Sequence, residues 1–373
     1  MAIDPEEAAR SLDAFLVAIG RDPSREPELV GTAARVTQLF VEELCAGYGE
    51  LFCVWFDGAC GEGPSGRRQA YEWKRYYEVV RSLQPGAVIC VCGPDVRWCG
   101  NEAGHCRAAE WSVVPASLKD VEKTQAASQQ EDDPGFARLV RSGDEDLGSR
   151  AVIADAGELA WYPAEVNTSI RPGWFHHPED DQKVRALDEL QSIYDRSVGG
   201  NASFLLNLPP DRRGLIHDAD AARMREFGAA LRSRFERNEA AGGCASSNVP
   251  SAVGHEPYRA ITANLGEWWQ PTAPTVEAAF RIDLAREVEL DTAVFQEAIE
   301  IGQRVEAFTV ELLDDEGWQV CYRGNVIGHK RIATFPRRRA RSVRIRFESA
   351  RGFPTLAFVG VYRGRGWRCD QAW

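Results

Sequence analysis

The sequence predicts a mixed α/β protein that continues into an antiparallel β-sandwich, with a helical hairpin ahead of both. Three observations carry that expectation. Residues 1–48 hold apolar positions at helical spacing, residues 49–241 alternate short apolar runs with helical stretches, and residues 242–373 break into short alternating strands separated by turn signals. A chain of 373 residues, 44% of them hydrophobic, can bury a substantial core and exceeds the length of most single domains, so the three textures are read as three domains.

The first element rests on Ala8, Leu12, Phe15 and Leu16, and then on Leu29, Ala33, Val36, Phe40 and Leu44, joined by the polar turn Gly20 to Arg25. From Leu51 the runs Leu51–Phe56, Ala87–Cys92, Trp161–Val166 and Phe204–Leu208 read as buried strands. Arg68–Leu83, Val184–Val198 and Ala219–Asn238 read as the helices between and after them, the signature of β/α units around a parallel sheet. The polar stretch Ala126–Asp155 is expected to be a long insertion or lid. A Gly-, Ala- and Ser-rich segment, Ala240–Ser247, marks the next boundary. Beyond it AAFRIDL, FTVELL, WQVCYRG, SVRIRF and LAFVGVY alternate as strands of a sandwich do.

Composition narrows the partners. A formal net charge of -12 and a pI near 5.2 argue against a nucleic-acid binder, and the basic run Arg337 to Arg341 reads as a solvated strand end. No apolar run approaches the ~18 residues of a membrane span. The opening MAIDPEE is acidic and lacks the regions of a signal peptide, so the chain as written is expected in the cytoplasm. The ten cysteines fall mostly inside apolar segments without zinc-finger spacing, and they read as buried free thiols.

Catalytic groups collect at the carboxyl ends of strands in parallel β/α folds, and here those ends are polar and aromatic. Trp55, Phe56, Asp57 and Gly58 end one strand; GPDVRWCGNEAGH follows the next and supplies Asp95, Arg97, Trp98, Asn101 and Glu102; AEVNTSIRPGWFHH follows a third. Two carboxylates separated by a β/α unit, each beside tryptophans and glycines, suit glycoside cleavage, in which one attacks the anomeric carbon while the other protonates the leaving oxygen. For Asp57 alone, a cap on the following turn is an equal reading. His176 and His177 are not read as metal ligands, because adjacent side chains point to different sides and no carboxylate is recognised at ligand spacing.

The blocks VWFDGACGEGPSGRRQAYEW, AVICVCGPDVRWCGNEAGHCRAAEWSVVP and EVNTSIRPGWFHHPEDD with LLNLPPDRRGLIHDAD resemble successive blocks of the α-L-fucosidases of glycoside hydrolase family 29, in particular the branch cleaving α-1,3/1,4-linked fucose. The resemblance covers residues 49 to 373. It implies Asp57 as nucleophile and Glu102 as acid/base, with Glu110 as second choice for the latter role. It also implies a sugar subsite drawn from Trp55, Arg97, Trp98, Asn101, Glu165, Arg171 and Trp174, a structural role for Arg171 beside Pro172 being equally open. The implied chemistry is double displacement with retention, needing no metal or organic cofactor and two carboxyl groups ~5 to 5.5 Å apart. The implied partner is a fucosylated oligosaccharide or glycoconjugate.

The terminal sandwich resembles the discoidin-like accessory domain of the same enzymes, and is expected to buttress the barrel, with Trp268 and Trp269 as candidates for either packing or glycan binding. The N-terminal ~45 residues, which include IGRDPSREPELVGTAARVTQLF, resemble the N-terminal helices of GTP cyclohydrolase I instead. Residues 49–241 are fewer than the ~250 a complete (β/α)8 barrel needs, so a partial TIM-like barrel without its first strands is expected, with open edges that invite oligomers. Two other readings follow: an inactive truncated or fused fucosidase remnant that at most binds fucosylated glycans, and a GTP cyclohydrolase-like assembly partner. If a preceding segment exists, localisation is open, since family members are often secreted, periplasmic or lysosomal. The Asn-X-Ser triplets at Asn167 and Asn201 fall in blocks expected to be buried or near the site.

Overall fold

The computed structural model describes residues 41–57, 71–121, 146–274 and 277–364, which group into two compact units. The first is drawn from residues 1–98 and 116–134, the second from 99–115 and 135–373.

In the first unit β1 (Cys53–Phe56) and β2 (Val88–Val91) lie parallel, with Phe56 opposite Val91, and α1 (Trp73–Leu83) connects them. Trp73, Tyr76 and Val80 recur at helical spacing on one face of α1, and that face is buried against the strands. Phe56 meets the rings of Trp73 and Tyr76 at 5.9 and 6.1 Å. The end of a helix at residues 41–47 joins this core through Val41 and Cys45. Gln84 ties the segments together: its amide nitrogen donates to the carbonyls of Cys45 and Gly49, and its oxygen accepts from the Leu51 amide. At the end of β2, Val91 holds φ 67°, a conformation a β-branched residue adopts only under constraint. Asp95 supplies part of that constraint by accepting from the Ile89 amide and pairing with Arg81, and the short strand β3 (Arg97–Trp98) follows.

The second unit contains a second parallel pair, β6 (Ala164–Ser169) and β7 (Ala202–Asn207), connected by α3 (Leu187–Arg196) and followed by α4 (Asp218–Phe235). Before them β4 (Val113–Pro115) and β5 (Leu159–Trp161) form an antiparallel ladder, and the single turn α2 (Arg150–Ile153) precedes β5. Strands β8 (Cys244–Ser247), β9 (Ala279–Gln296), β10 (Val305–Asp314), β11 (Gly317–Gly324), β12 (Arg331–Ala350) and β13 (Phe358–Tyr362) complete the unit as antiparallel pairs. The long strands β9 and β12 pair with each other along most of their length; β9 also pairs β8 at its start and β13 at its end, and β12 pairs β10 at its end. Phe295 and Phe308 meet across the interior at 5.7 Å, and the core extends from Phe280 and Phe347 to Phe335 and Val361.

This sheet is joined to the α/β part of the same unit by buried polar contacts. Arg331 donates to the carbonyls of Val326 and Ala108, Gln303 bonds the Ser112 amide and the Glu110 carbonyl, and Ile332 donates to Gly199. The role expected of this region, to buttress what precedes it, matches these contacts.

Several expectations change in detail. The strand expected at 161–166 is two strands, because Pro163 has no N–H to continue a ladder and the chain switches partners there. The basic run Arg337 to Arg341 is not a strand end: it lies in the interior of β12 at a register shift beside Pro336, where Arg337 pairs with Asp291. The strands read as AAFRIDL and SVRIRF are parts of β9 and β12, which are far longer because alternation continues through the polar turn-like residues between. Of the helical hairpin only residues 41–47 are described, and of the expected lid only residues 146–155. Cys45, Cys90, Cys92, Cys99 and Cys106 are buried free thiols as expected, whereas Cys244 is exposed. Among the described residues no helix is long and apolar enough to cross a membrane.

Glu297 lies buried between β9 and β10, where its carboxylate accepts from the amides of Gly328, Arg304 and Val305. Burial outweighs these donors and pushes its pKa up from 4.5 to about 7. The folded chain thus holds this proton more tightly than an unfolded one does, so the group's stabilising effect is full below 4.5 and is lost as pH rises to about 7. Thermal unfolding across that interval should give a melting temperature that falls with pH in the parent chain, with a flatter dependence in Glu297→Gln.

Candidate functional site

The segment between β3 and β4 folds as a loop fastened at both ends. The Cys99 amide donates to the Glu165 carbonyl on β6, and the Cys106 amide donates to the Arg196 carbonyl at the end of α3. The Cys106 thiol also bonds the Arg196 carbonyl, and burial pushes its pKa well up, so it serves as a neutral peg. Between the pegs, Asn101 is buried and turns inward: its amide nitrogen donates to the His105 carbonyl and its oxygen accepts from the Ala103 amide. Gly104 has φ 89° and a Cβ there would stand 2.9 Å from Ile193, so a glycine is needed for the loop to lie against α3. Asn101 therefore shapes the turn that carries Glu102, a role different from the sugar contact implied by the resemblance.

Glu102 is half-buried, and its Oε2 accepts the indole N–H of Trp174 at 3.2 Å. Trp174 sits on the loop after β6, and that loop is fixed from below. Asn207, opposite Ser169 in the parallel ladder, donates to the Trp174 carbonyl at 2.9 Å and to the Ser169 hydroxyl at 3.1 Å. Ser169 in turn donates to the Gly173 carbonyl at 2.7 Å. Neither Asn207 nor Ser169 stands out in the sequence, Asn207 falling inside the run Phe204–Leu208 and Ser169 beyond the run Trp161–Val166. Their register opposite each other became visible only in the ladder.

Arg171 follows two residues after β6 and points into the protein. Its Nε bonds both oxygens of Asp220 on α4, at 2.9 and 3.1 Å, and one terminal nitrogen bonds Asp181 at 2.9 Å. The side chains of Arg171 and Asp220 are both 0% exposed. Of the two readings left open for Arg171, this geometry carries the structural one. Asp181 also meets His176 at 3.1 Å and His217 at 3.5 Å. Desolvation raises its pKa, but the Arg171 hydrogen bond, the His217 charge and the His176 contact outweigh it and hold the carboxyl below its usual range.

His176, Asp181 and His217 bring one ligand-type atom each within 4.8 Å of one another, so a carboxylate does stand at ligand spacing from His176, five residues on. The sequence reading missed it because the second histidine arrives from α4. His217 nevertheless caps α4 by accepting the Ala219 amide on Nδ1, which leaves the proton on Nε2 facing Asp181. Arg171 bonds the same carboxylate, so Asp181 ties the two histidines to the Arg171 guanidinium. A cavity of about 490 Å3 adjoins the Glu102 loop through Ala103 and His105 and is bounded by Arg171, Pro172 and the segment leading into α3.

In the first unit, Asp57 directly follows β1 and is exposed, so its carboxylate stands at the carboxyl end of the strand, as expected. Trp55 and Trp98 are half-buried against the core of that unit, and Arg97 is buried. In the second unit Glu165 is buried on β6. Glu110 is fully buried, bonded to the Arg107 amide and guanidinium, and has no path to a glycosidic oxygen in solvent. Asn167 and Asn201 are both buried, so neither triplet presents a surface asparagine.

No protein-family model matches the chain. Alpha-L-fucosidase 1 of Arabidopsis thaliana is 31% identical over 329 residues, which is 86% of this chain and 60% of that protein. A solved structure from Bacteroides ovatus, provisionally named an α-L-fucosidase, is 38% identical with a TM-score of 0.73, covering 91% of this chain and 53% of that one. A Ruminococcus gnavus GH29 fucosidase in complex with fucose is 25% identical with a TM-score of 0.71, covering 89% of this chain and 66% of that one. The chain thus spans about six tenths of the length of the curated relatives it matches.

The Arg171 cluster sets an expectation independent of activity. Arg171→Ala leaves Asp220 charged and unpaired in the interior, and should cost about 3 to 5 kcal/mol, read as a lowered urea midpoint. Arg171→Lys should recover only part of that loss, because an ammonium cannot bond both Asp220 oxygens and Asp181 at once.

Proposed function

We propose that this chain is an α-L-fucosidase of glycoside hydrolase family 29 that releases terminal L-fucose from branched glycans, with a covalent fucosyl-enzyme intermediate. The observation that carries this reading is a relatedness to α-L-fucosidases running through most of the chain, and a half-buried carboxylate, Glu102, on a loop fastened to a strand and a helix supports it. Glu102 stands on a loop pegged to β6 and α3 and bonded to Trp174, and Asp57 stands at the end of β1. The parallel pairs β1 with β2 and β6 with β7 are read as parts of a TIM-like (β/α)8 barrel, of which this chain carries a portion, and the antiparallel region as its discoidin-like accessory domain. Residues 49–241 and 242–373 are the corresponding domains.

In the proposed reaction Asp57 attacks the anomeric carbon while Glu102 gives its proton to the glycosidic oxygen. The leaving group departs and the fucosyl ester forms on Asp57. Glu102, now a carboxylate, takes a proton from water, whose oxygen attacks the same carbon and restores Asp57. Two displacements retain the anomeric configuration. Tryptophans such as Trp55 and Trp98 offer faces on which a sugar can stack. The Asn101 and Arg171 geometry favours scaffolding over sugar contact for those two.

The measurement that tests the reading is fucose release from a branched Lewis-type trisaccharide. The parent chain should release fucose, Asp57→Ala should release none, and Glu102→Gln should fall on the order of 10² to 10⁴-fold. A folded parent chain that releases no fucose but retains the trisaccharide on a column would overturn the hydrolase reading in favour of glycan binding without turnover.

A further inference from the structure

We infer that Trp174, held by a clasp of Asn207 and Ser169, is a positioning residue for the Glu102 carboxyl and selects which of its two oxygens carries the catalytic proton. The inference rests on the reading of Glu102 as acid/base.

The argument begins with the donor. An indole has a single N–H and no acceptor, so a Trp174 N–H aimed at Oε2 at 3.2 Å can only stabilise electron density on that oxygen. A protonated carboxyl bonded in this way keeps its proton on the other oxygen, Oε1. After the proton is given up, the same N–H stabilises the carboxylate, which must persist until water arrives. One fixed donor therefore serves both halves of the cycle without moving.

A donor on a loose loop would not do this, and the loop is not loose. Asn207 ends β7, Ser169 ends β6, and the two are opposite each other in register. The Asn207 amide bridges the Ser169 hydroxyl and the Trp174 carbonyl, while Ser169 closes onto the Gly173 carbonyl. Two strand ends of the sheet thus fix the backbone of residues 173 and 174 through their side chains. The titratable groups on the elements concerned are His105 and the Arg107–Glu110 pair on the Glu102 loop, and His176, His177 and Asp181 on the Trp174 loop. The pKa of His105 is lowered by burial and by the Arg196 charge.

The test is a carboxyl titration that needs no turnover. The chain is prepared with ¹³C at glutamate carboxyls, the Glu102 signal is assigned by its loss in Glu102→Gln, and its midpoint is followed in Trp174→Phe and Asn207→Ala. Removing the N–H should raise the Glu102 midpoint by ~0.5 to 1 unit in Trp174→Phe, and opening the clasp should move it the same way by less. If Trp174→Phe does not fold, Asn207→Ala, which leaves the indole in place, carries the measurement. In fucose release, kcat of Trp174→Phe should fall about tenfold with KM within about twofold of the parent. An unchanged midpoint in both variants, or a raised KM with an unchanged midpoint, overturns the inference and makes Trp174 a sugar contact alone. A shifted midpoint in a chain whose parent releases no fucose supports the positioning contact while the hydrolase reading fails.

Discussion

The second compact unit depends on one asparagine in an unfavourable backbone conformation. Asn201 holds φ 75°, and its amide joins three separated segments: the nitrogen donates to the Glu110 carbonyl and approaches the Ser112 hydroxyl, and the oxygen accepts from the His329 amide. Asparagine tolerates left-handed backbone better than other side chains with a Cβ, and here three partners hold it there. Gly328 lies against it so closely that a Cβ would fall 2.3 Å from the amide. Around this knot Gln303 and Arg331 complete the junction, so the turn before β7 and the turn before β12 meet with every buried polar group of the knot engaged.

That junction bears on the site because β7 begins at Ala202, immediately after Asn201, and ends at Asn207. The antiparallel sheet thus fixes one end of the strand whose other end clasps the Trp174 loop. A parallel pair fixed by its neighbours at one end can present polar side chains at the other in a set register, which is what the ladder from Ala164 opposite Ala202 to Ser169 opposite Asn207 does. The Arg171, Asp220 and Asp181 cluster secures the same loop to α4 from within the protein, so the loop that carries Trp174 is held on two sides.

Much of this was legible in the residues. The apolar runs that become β1, β2 and β7 were read in place, as were α1, α3 and α4 within a few residues of their ends, because strand and helix periods persist over enough positions to outweigh local noise. Asp57 and Glu102 were read as strand-end carboxylates and lie where strands end and a loop begins. The long strands β9 and β12 were read as fragments, since charged residues on the solvent face and a register shift interrupt the pattern that marks them.

What the sequence determined by itself is the order of its elements, the change from α/β to antiparallel texture near residue 242, the buried state of five of the eight described cysteines, and the two carboxylates that stand apart from the apolar runs. Those properties are encoded locally, in spacing and residue type. Only the tertiary structure decided that Asn101 bonds back onto its own loop, that Arg171 pairs with Asp220 and Asp181, that Glu110 is buried, that His217 reaches Asp181 from the start of α4, and that Asn207 and Ser169 lie opposite each other beneath Trp174. The physical reason is that a side chain's role follows from which partner satisfies it. For these residues most of the partners lie tens of residues away, brought near by sheet register and helix packing that no local pattern specifies.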